Sequence, residues 1–267
     1  MARKKARRIT QEYPPVIDSF DLGKYGKIDF ANWSNPLAPH IKIHSAMIDF
    51  FSQFIKPGDL AIDIGANIGD TTVPMALCTG QTGLTLGFDP NPFVFKILKK
   101  NASLNTEHYR IEPQPYAISS NEEEFFFISS EASFANGAIS KTEKSEHGKF
   151  IQPQKVKGVN LEYFLQNNYP DWIDKFSFIK IDTEGYDKEI LKSIKDLILK
   201  CKPTIIAESF GNASNTAKKE LFEIIHGMGY NIFYFEDFST DAVVQKLGKS
   251  EDMLKFKKTI NIYATPL

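Results

Sequence analysis

Apolar positions in this chain fall first at helical spacing and then in a repeated strand–helix rhythm. Met47, Ile48, Phe51, Phe54 and Ile55 share one helical face within residues 44–55, and Pro57-Gly58 stops that helix. Short apolar runs then predict strands at 59–65 ("DLAIDIG"), 83–89 ("GLTLGFD"), within 109–119, at 176–182 ("FSFIKID") and at 203–209 ("PTIIAES"). Helical periods predict helices at 68–78, 92–105, 160–168, 187–200 and 214–228. Pro74 falls inside the first of these, so a kink is expected unless it sits in an early turn. Residues 124–129 read as an extra strand, and 230–237 and 259–265 as a closing antiparallel hairpin.

Alternation of this kind, with short connections, predicts a doubly wound parallel sheet covered by helices on both faces. Residues 1–40 read as a partly disordered N-terminal arm with short strands at most, and 41–267 as a single domain. Residues 130–158 are polar and show no period. They predict an insertion-like loop of the functional or mobile kind.

Composition narrows the function classes. With 267 residues, 42% of them hydrophobic, the chain can bury a large core. A formal net charge of −1 argues against nucleic-acid binding by bulk charge, and no nucleic-acid partner is expected. The run "ARKKARR" (2–8) is the exception. It reads as a solvated tail, or as a weak contact for an anionic surface. Cys78 and Cys201 lie in apolar helical patterns without a CxxC motif, which fits a reducing, cytoplasmic setting. No apolar run suits a signal peptide or a membrane span.

Candidate chemistry begins at "AIDIGANIGD" (61–70), where a buried strand ends in a glycine turn before a helix. Gly65 and Gly69 permit tight turning and close approach to a ligand. Asp89, about 20 residues on at the end of the next strand, is placed to accept both hydroxyls of a ribose. A nucleotide-phosphate loop needs Gly-Lys-Ser/Thr, which is absent, and Asn67 stands where a dinucleotide loop favours glycine. Asp63 at the turn disfavours pyrophosphate and suits a cationic ligand. S-adenosylmethionine, a sulfonium without phosphate, fits best. A nicotinamide-dependent oxidoreductase on the same topology is the alternative, and a non-catalytic binding module is less consistent with the retained carboxylates.

The stretches "DLAIDIGANIGDTT", "GFDPNP" and "FSFIKIDTEGYDKEIL" together resemble the FkbM family of S-adenosylmethionine-dependent methyltransferases, over roughly residues 57–210. The resemblance implies a class I methyltransferase fold, a Rossmann-like, mostly parallel seven-stranded sheet with an antiparallel last strand. It also implies methylation of hydroxyl groups on glycans, polyketides and related small molecules. The candidate cofactor contacts are Asp63, Gly65, Ala66, Asn67 and Gly69 on the loop, Asp89, Pro90 and Asn91 after the second strand, and Ala117 on the third.

An alcohol is a poor nucleophile, so methyl transfer to it calls for a base or a metal. Asp182 and Glu184 follow the fourth strand and Glu208 ends the fifth. Asp182 and Glu208 could activate the acceptor directly or hold Mg²⁺, and as helix-start carboxylates they could equally serve as caps. His147, in the loop at 130–158, is the alternative base. The arm and that loop are where acceptor choice is expected to reside. Neither the acceptor's identity nor the oligomeric state is readable.

Overall fold

The computed structural model describes residues 1–143, 148–183 and 185–267. The chain opens with α1 (Ala2–Ala6), the strands β1 (Pro15–Asp21) and β2 (Lys27–Trp33), and α2 (Ser45–Phe51). The alternation follows as β3 (Leu60–Ile64), α3 (Thr72–Thr79), β4 (Leu84–Phe88), α4 (Pro92–Ser103) and β5 (Ile111–Gln114). Next come five short strands: β6 (Tyr116–Ile118), β7 (Glu123–Ser129), β8 (Ala138–Ser140), β9 (Phe150–Ile151) and β10 (Val156–Val159). The C-terminal half runs α5 (Leu161–Asn168), β11 (Phe176–Ile181), α6 (Asp187–Ser193), α7 (Lys195–Cys201) and β12 (Thr204–Ser209). It closes with α8 (Asn215–Gly227), β13 (Tyr230–Phe235), β14 (Val244–Leu247) and β15 (Ile260–Pro266).

The main sheet has the order β14-β13-β15-β12-β11-β3-β4-β5. From β5 to β12 all pairings are parallel, and β15 runs antiparallel to both β12 and β13. This is the class I methyltransferase arrangement, with β14 added as an eighth strand at the edge. β13 and β15 do pair antiparallel, as expected, but β15 reaches that pairing by inserting beside β12. β14 escapes the hydrophobic pattern because three of its four residues are exposed.

Every residue of β3 and β4 is buried, because helices cover both faces. Leu60, Ile62 and Ile64 face α5 to α8, while Ala61 and Phe178 face α2, α3 and α4. Pro74 is the third residue of α3. Proline is tolerated within the first turn of a helix. The predicted helix at 187–200 is divided at Ile194, whose backbone (φ −114°, ψ 18°) leaves the helical region.

Two expectations need correcting. The arm at 1–40 is not loose, since β1 and β2 pair over seven residues and bury Ile28, Phe30 and Trp33 against the body. Asn101 of α4 fastens it, donating to the Ala31 carbonyl at 3.0 Å and accepting from the Ala31 N–H at 2.6 Å. The segment 130–158 is not one long loop either. β8 and β9 pair with β7, and β10 lies between β6 and β7, in a second five-stranded sheet. Strands of two to four residues are too short to show a period. No helix among the described residues is long and apolar enough to cross a membrane.

Candidate active site

The glycine loop leaves β3 and is fastened on both sides. Gly65 and Ala66 donate to the Phe88 carbonyl at 2.9 and 3.0 Å, and the Asp182 N–H donates to the Ile64 carbonyl at 3.0 Å. Gly65 (φ +78°) passes so close to β11 that a Cβ would lie 1.8 Å from the Asp182 carbonyl oxygen. Asn67 takes the left-handed conformation (φ +48°), which asparagine tolerates better than most residues. That turn aims its N–H at Asp89 Oδ2, 2.8 Å away, while Asp89 Oδ1 accepts from the Asn91 N–H at 2.9 Å. Burial drives the Asp89 carboxyl up to about 7, against the opposing pull of those two amides.

Beneath the loop lies a chain of charges. Asp63 is fully buried, and its Oδ2 accepts the hydroxyls of Thr71 and Thr72 at 2.8 and 2.7 Å, tethering the start of α3. Its register partner on β11 is Lys180, whose ammonium stands 3.5 Å from Asp63 Oδ1 and 3.1 Å from Asp182 Oδ2. Burial works against that ammonium, but Asp182, Asp63 and Asp70 outweigh it and hold its pKa raised. Asp70 is pushed up to about 6 by burial, with Lys180 pulling the other way. A second tie joins the two neighbouring strand ends. Buried Asp187 accepts the Thr183 hydroxyl at 2.9 Å and the Glu208 N–H at 3.3 Å.

A cavity of about 290 Å³ opens at the carboxyl ends of these strands, where doubly wound sheets hold ligands. Gly65, Asn67, Asp89, Pro90, Asn91 and Ala117 line it on the loop side, and Asp182 and Glu208 at the other strand ends. Asp63, Ala66 and Gly69 do not line it. Asp63 and Ala66 are fully buried, and Gly69 packs toward Leu98 and Asn101. In the structure these three build the loop beneath the cavity rather than face it. Asn91 lines the cavity but spends its side chain capping α4 and donating to the Phe134 carbonyl at 2.9 Å. Glu184 and His147 lie outside the described residues.

Sequence reasoning missed Asp70, Lys180, Tyr186, Phe238 and Asn261, all of which line the cavity. Lys180 had a visible signal, a lone charge inside an apolar strand. Asn261 had none, because only the insertion of β15 beside β12 sets it opposite Glu208, and Phe238 had none because it reaches the wall from the connection after β13. The second sheet supplies Phe127 and residues 135–139 to the wall, so the extra strand at 124–129 helps to build the site.

The residues fit S-adenosylmethionine. The cavity sits over a backbone cradle that a Cβ at Gly65 would fill, a carboxylate ends β4, and Asp70, Asp182 and Glu208 face the cavity with one ammonium among them. Such a wall favours a cation over a pyrophosphate. They do not fit Mg²⁺. Asp182 is already engaged by the Lys180 ammonium, and no group of three or more His, Cys, Asp or Glu side chains among the described residues could hold a metal ion.

Comparison with known proteins decides the family. The model described as "Methyltransferase FkbM domain" matches residues 63–232, well over half of the chain. The chain belongs to the FkbM methyltransferase family. This FkbM family is one of S-adenosylmethionine-dependent methyltransferases and not of nicotinamide-dependent oxidoreductases. Among curated proteins, the protein-L-isoaspartate O-methyltransferase of Caenorhabditis elegans is 33% identical over 64 residues, 24% of this chain and 28% of that one. A methyltransferase FkbM from Methylobacillus flagellatus aligns at 13% identity over 82% of this chain and 51% of that one, with a TM-score of 0.45. An S-adenosylmethionine-dependent O-methyltransferase from Thermotoga maritima aligns at 11% identity over 95% and 78%, with a TM-score of 0.43. The chain thus spans about a quarter of the curated relative and about half of the Methylobacillus protein.

Proposed function

We propose that this FkbM methyltransferase transfers a methyl group from S-adenosylmethionine to a hydroxyl oxygen of a glycan, sugar or other small natural product. The observation that carries the reading is the shared cavity, with the Asn67–Asp89 turn on one side and Asp182 and Glu208 at adjacent strand ends on the other.

S-adenosylmethionine supplies an activated methyl on a positively charged sulfur. The chain must hold an acceptor oxygen in line with it and take the oxygen's proton. In this reading Asp182 or Glu208 accepts that proton. Lys180 keeps the Asp182 side chain from swinging, and Asp187 fixes the backbone that carries Glu208. Tyr186 also faces the cavity. Burial raises its phenol, so it stays protonated and can donate a hydrogen bond to the acceptor.

Methyl-labelled S-adenosylmethionine, offered with a panel of sugars, glycans and polyols, tests the reading. Label should appear on an acceptor oxygen. Asp182→Asn should cut the rate by about two to four orders of magnitude while leaving S-adenosylhomocysteine affinity nearly unchanged. Label on nitrogen or carbon, or wild-type rates from both Asp182→Asn and Glu208→Gln, would refute it.

A further inference from the structure

The basic run at the N-terminus plays no part in the site, yet the fold gives it a defined face. α1 continues past Ala6 through backbone bonds from Arg7 to Arg3 and from Arg8 and Ile9 to Lys5. At about 3.6 residues per turn, Arg3, Lys4, Arg7 and Arg8 fall on one side. Ala6, on the other side, is fully buried. The turn is fixed to the body where the Arg7 carbonyl accepts from the Ala132 N–H at 3.3 Å, so the cations are held facing outward.

Three further observations point to a ligand. The four cations, with Met1, form one open surface patch that contains no carboxylate. Among the described residues none of Arg3, Lys4, Lys5, Arg7 and Arg8 pairs with an acidic side chain. The charge is also segregated. Without these five, 27 Lys and Arg face 33 Asp and Glu, a net −6.

We propose that the Arg3–Lys4–Arg7–Arg8 face docks this enzyme on an anionic membrane surface through lipid phosphate headgroups. Two features favour a membrane over a nucleic acid. Met1 and Ile9, at either end of the basic turn, are exposed apolar side chains that can enter the headgroup boundary. A long polyanion would have to run on over a body of net −6, whereas a lipid surface meets the basic tip alone. The turn at 132 leads directly into residues 135–139 of the cavity wall, so docking would hold the site close to the bilayer.

Sedimentation with vesicles tests this without any methyl transfer. Wild-type protein should bind vesicles of phosphatidylcholine mixed with phosphatidylglycerol and ignore phosphatidylcholine alone, and high salt should release it. Each cation near such a surface contributes roughly fivefold, so changing Arg3, Lys4, Arg7 and Arg8 together to Gln should weaken binding several hundredfold. The four side chains are exposed, so the melting temperature should not move, and an unchanged melt confirms that the loss is not unfolding. Equal binding to neutral vesicles, unchanged binding by the fourfold variant, or tighter binding to polyuridylate RNA than to anionic vesicles would overturn the proposal.

Discussion

Asp89 is the residue on which cofactor affinity should turn. Its two oxygens each accept one backbone N–H, which leaves each a further lone pair for a ribose hydroxyl. An ionised carboxylate accepts more strongly than a neutral one. With the carboxyl raised to about 7, S-adenosylhomocysteine should bind more tightly as pH rises from about 6 to 8, and Asp89→Asn should flatten that dependence. Titration calorimetry at both ends of the range checks it. The same raised carboxyls, Asp70, Asp89 and Asp187, set the stability of the free protein. All three hold protons in the folded chain at pH values where the unfolded chain has lost them. Stability from this source is therefore full below about pH 4 and declines as pH rises through about 6 to 7, and thermal melts of the free protein across that window should fall. A melt that rises steadily across it would contradict the assignment. Gly65 is equally decisive. Gly65→Ala combines a strained φ with a clash against the Asp182 carbonyl, which the backbone relieves only by moving the loop off β11. The variant should lose S-adenosylhomocysteine binding and melt at lower temperature.

At the scale of elements, Asn101 is the knot between the arm, α4 and the glycine loop. Its amide donates to the Ala31 carbonyl at 3.0 Å and to the Ile68 carbonyl at 2.7 Å, and its oxygen accepts from the Ala31 N–H. Asn101→Ala leaves those buried groups unpaired and should cost about 2–4 kcal/mol, read from denaturant unfolding. The second sheet changes what a deletion of 130–158 would do. Read as a loop, the segment could be removed with cofactor binding intact. In the structure it carries β8, β9 and β10 and buries Phe125 and Phe127, so the deletion should abolish cofactor binding and turnover together.

The parallel core was legible because fully buried strands and amphipathic helices write strong periods. β3, β4, β11 and β12 lie within a residue or two of where the pattern put them. The second sheet and β14 were not legible, since their pairing depends on distant partners rather than on local pattern. Asp89 and Gly65 were readable from spacing. That Asp63 sits under the loop was not, because it depends on Lys180 being its cross-strand partner.

Across the whole molecule, the positive charge at the carboxylate wall comes from the chain itself, because the Lys180 ammonium stands beside Asp63 and Asp182. Methyl transfer should therefore run unchanged in EDTA, and a rate that collapses on chelation and returns with Mg²⁺ would reverse the reading of that wall. The central claim is that the cavity at the ends of β3, β4 and β11 is the S-adenosylmethionine site of an FkbM methyltransferase. Calorimetric titration of S-adenosylhomocysteine into wild-type protein and Asp89→Ala tests it most directly. The expected result is one site per chain in the wild type and a loss of about 1.5–3 kcal/mol in the variant. Equal affinity in both proteins, or tight binding of NADH with none of S-adenosylhomocysteine, would contradict it.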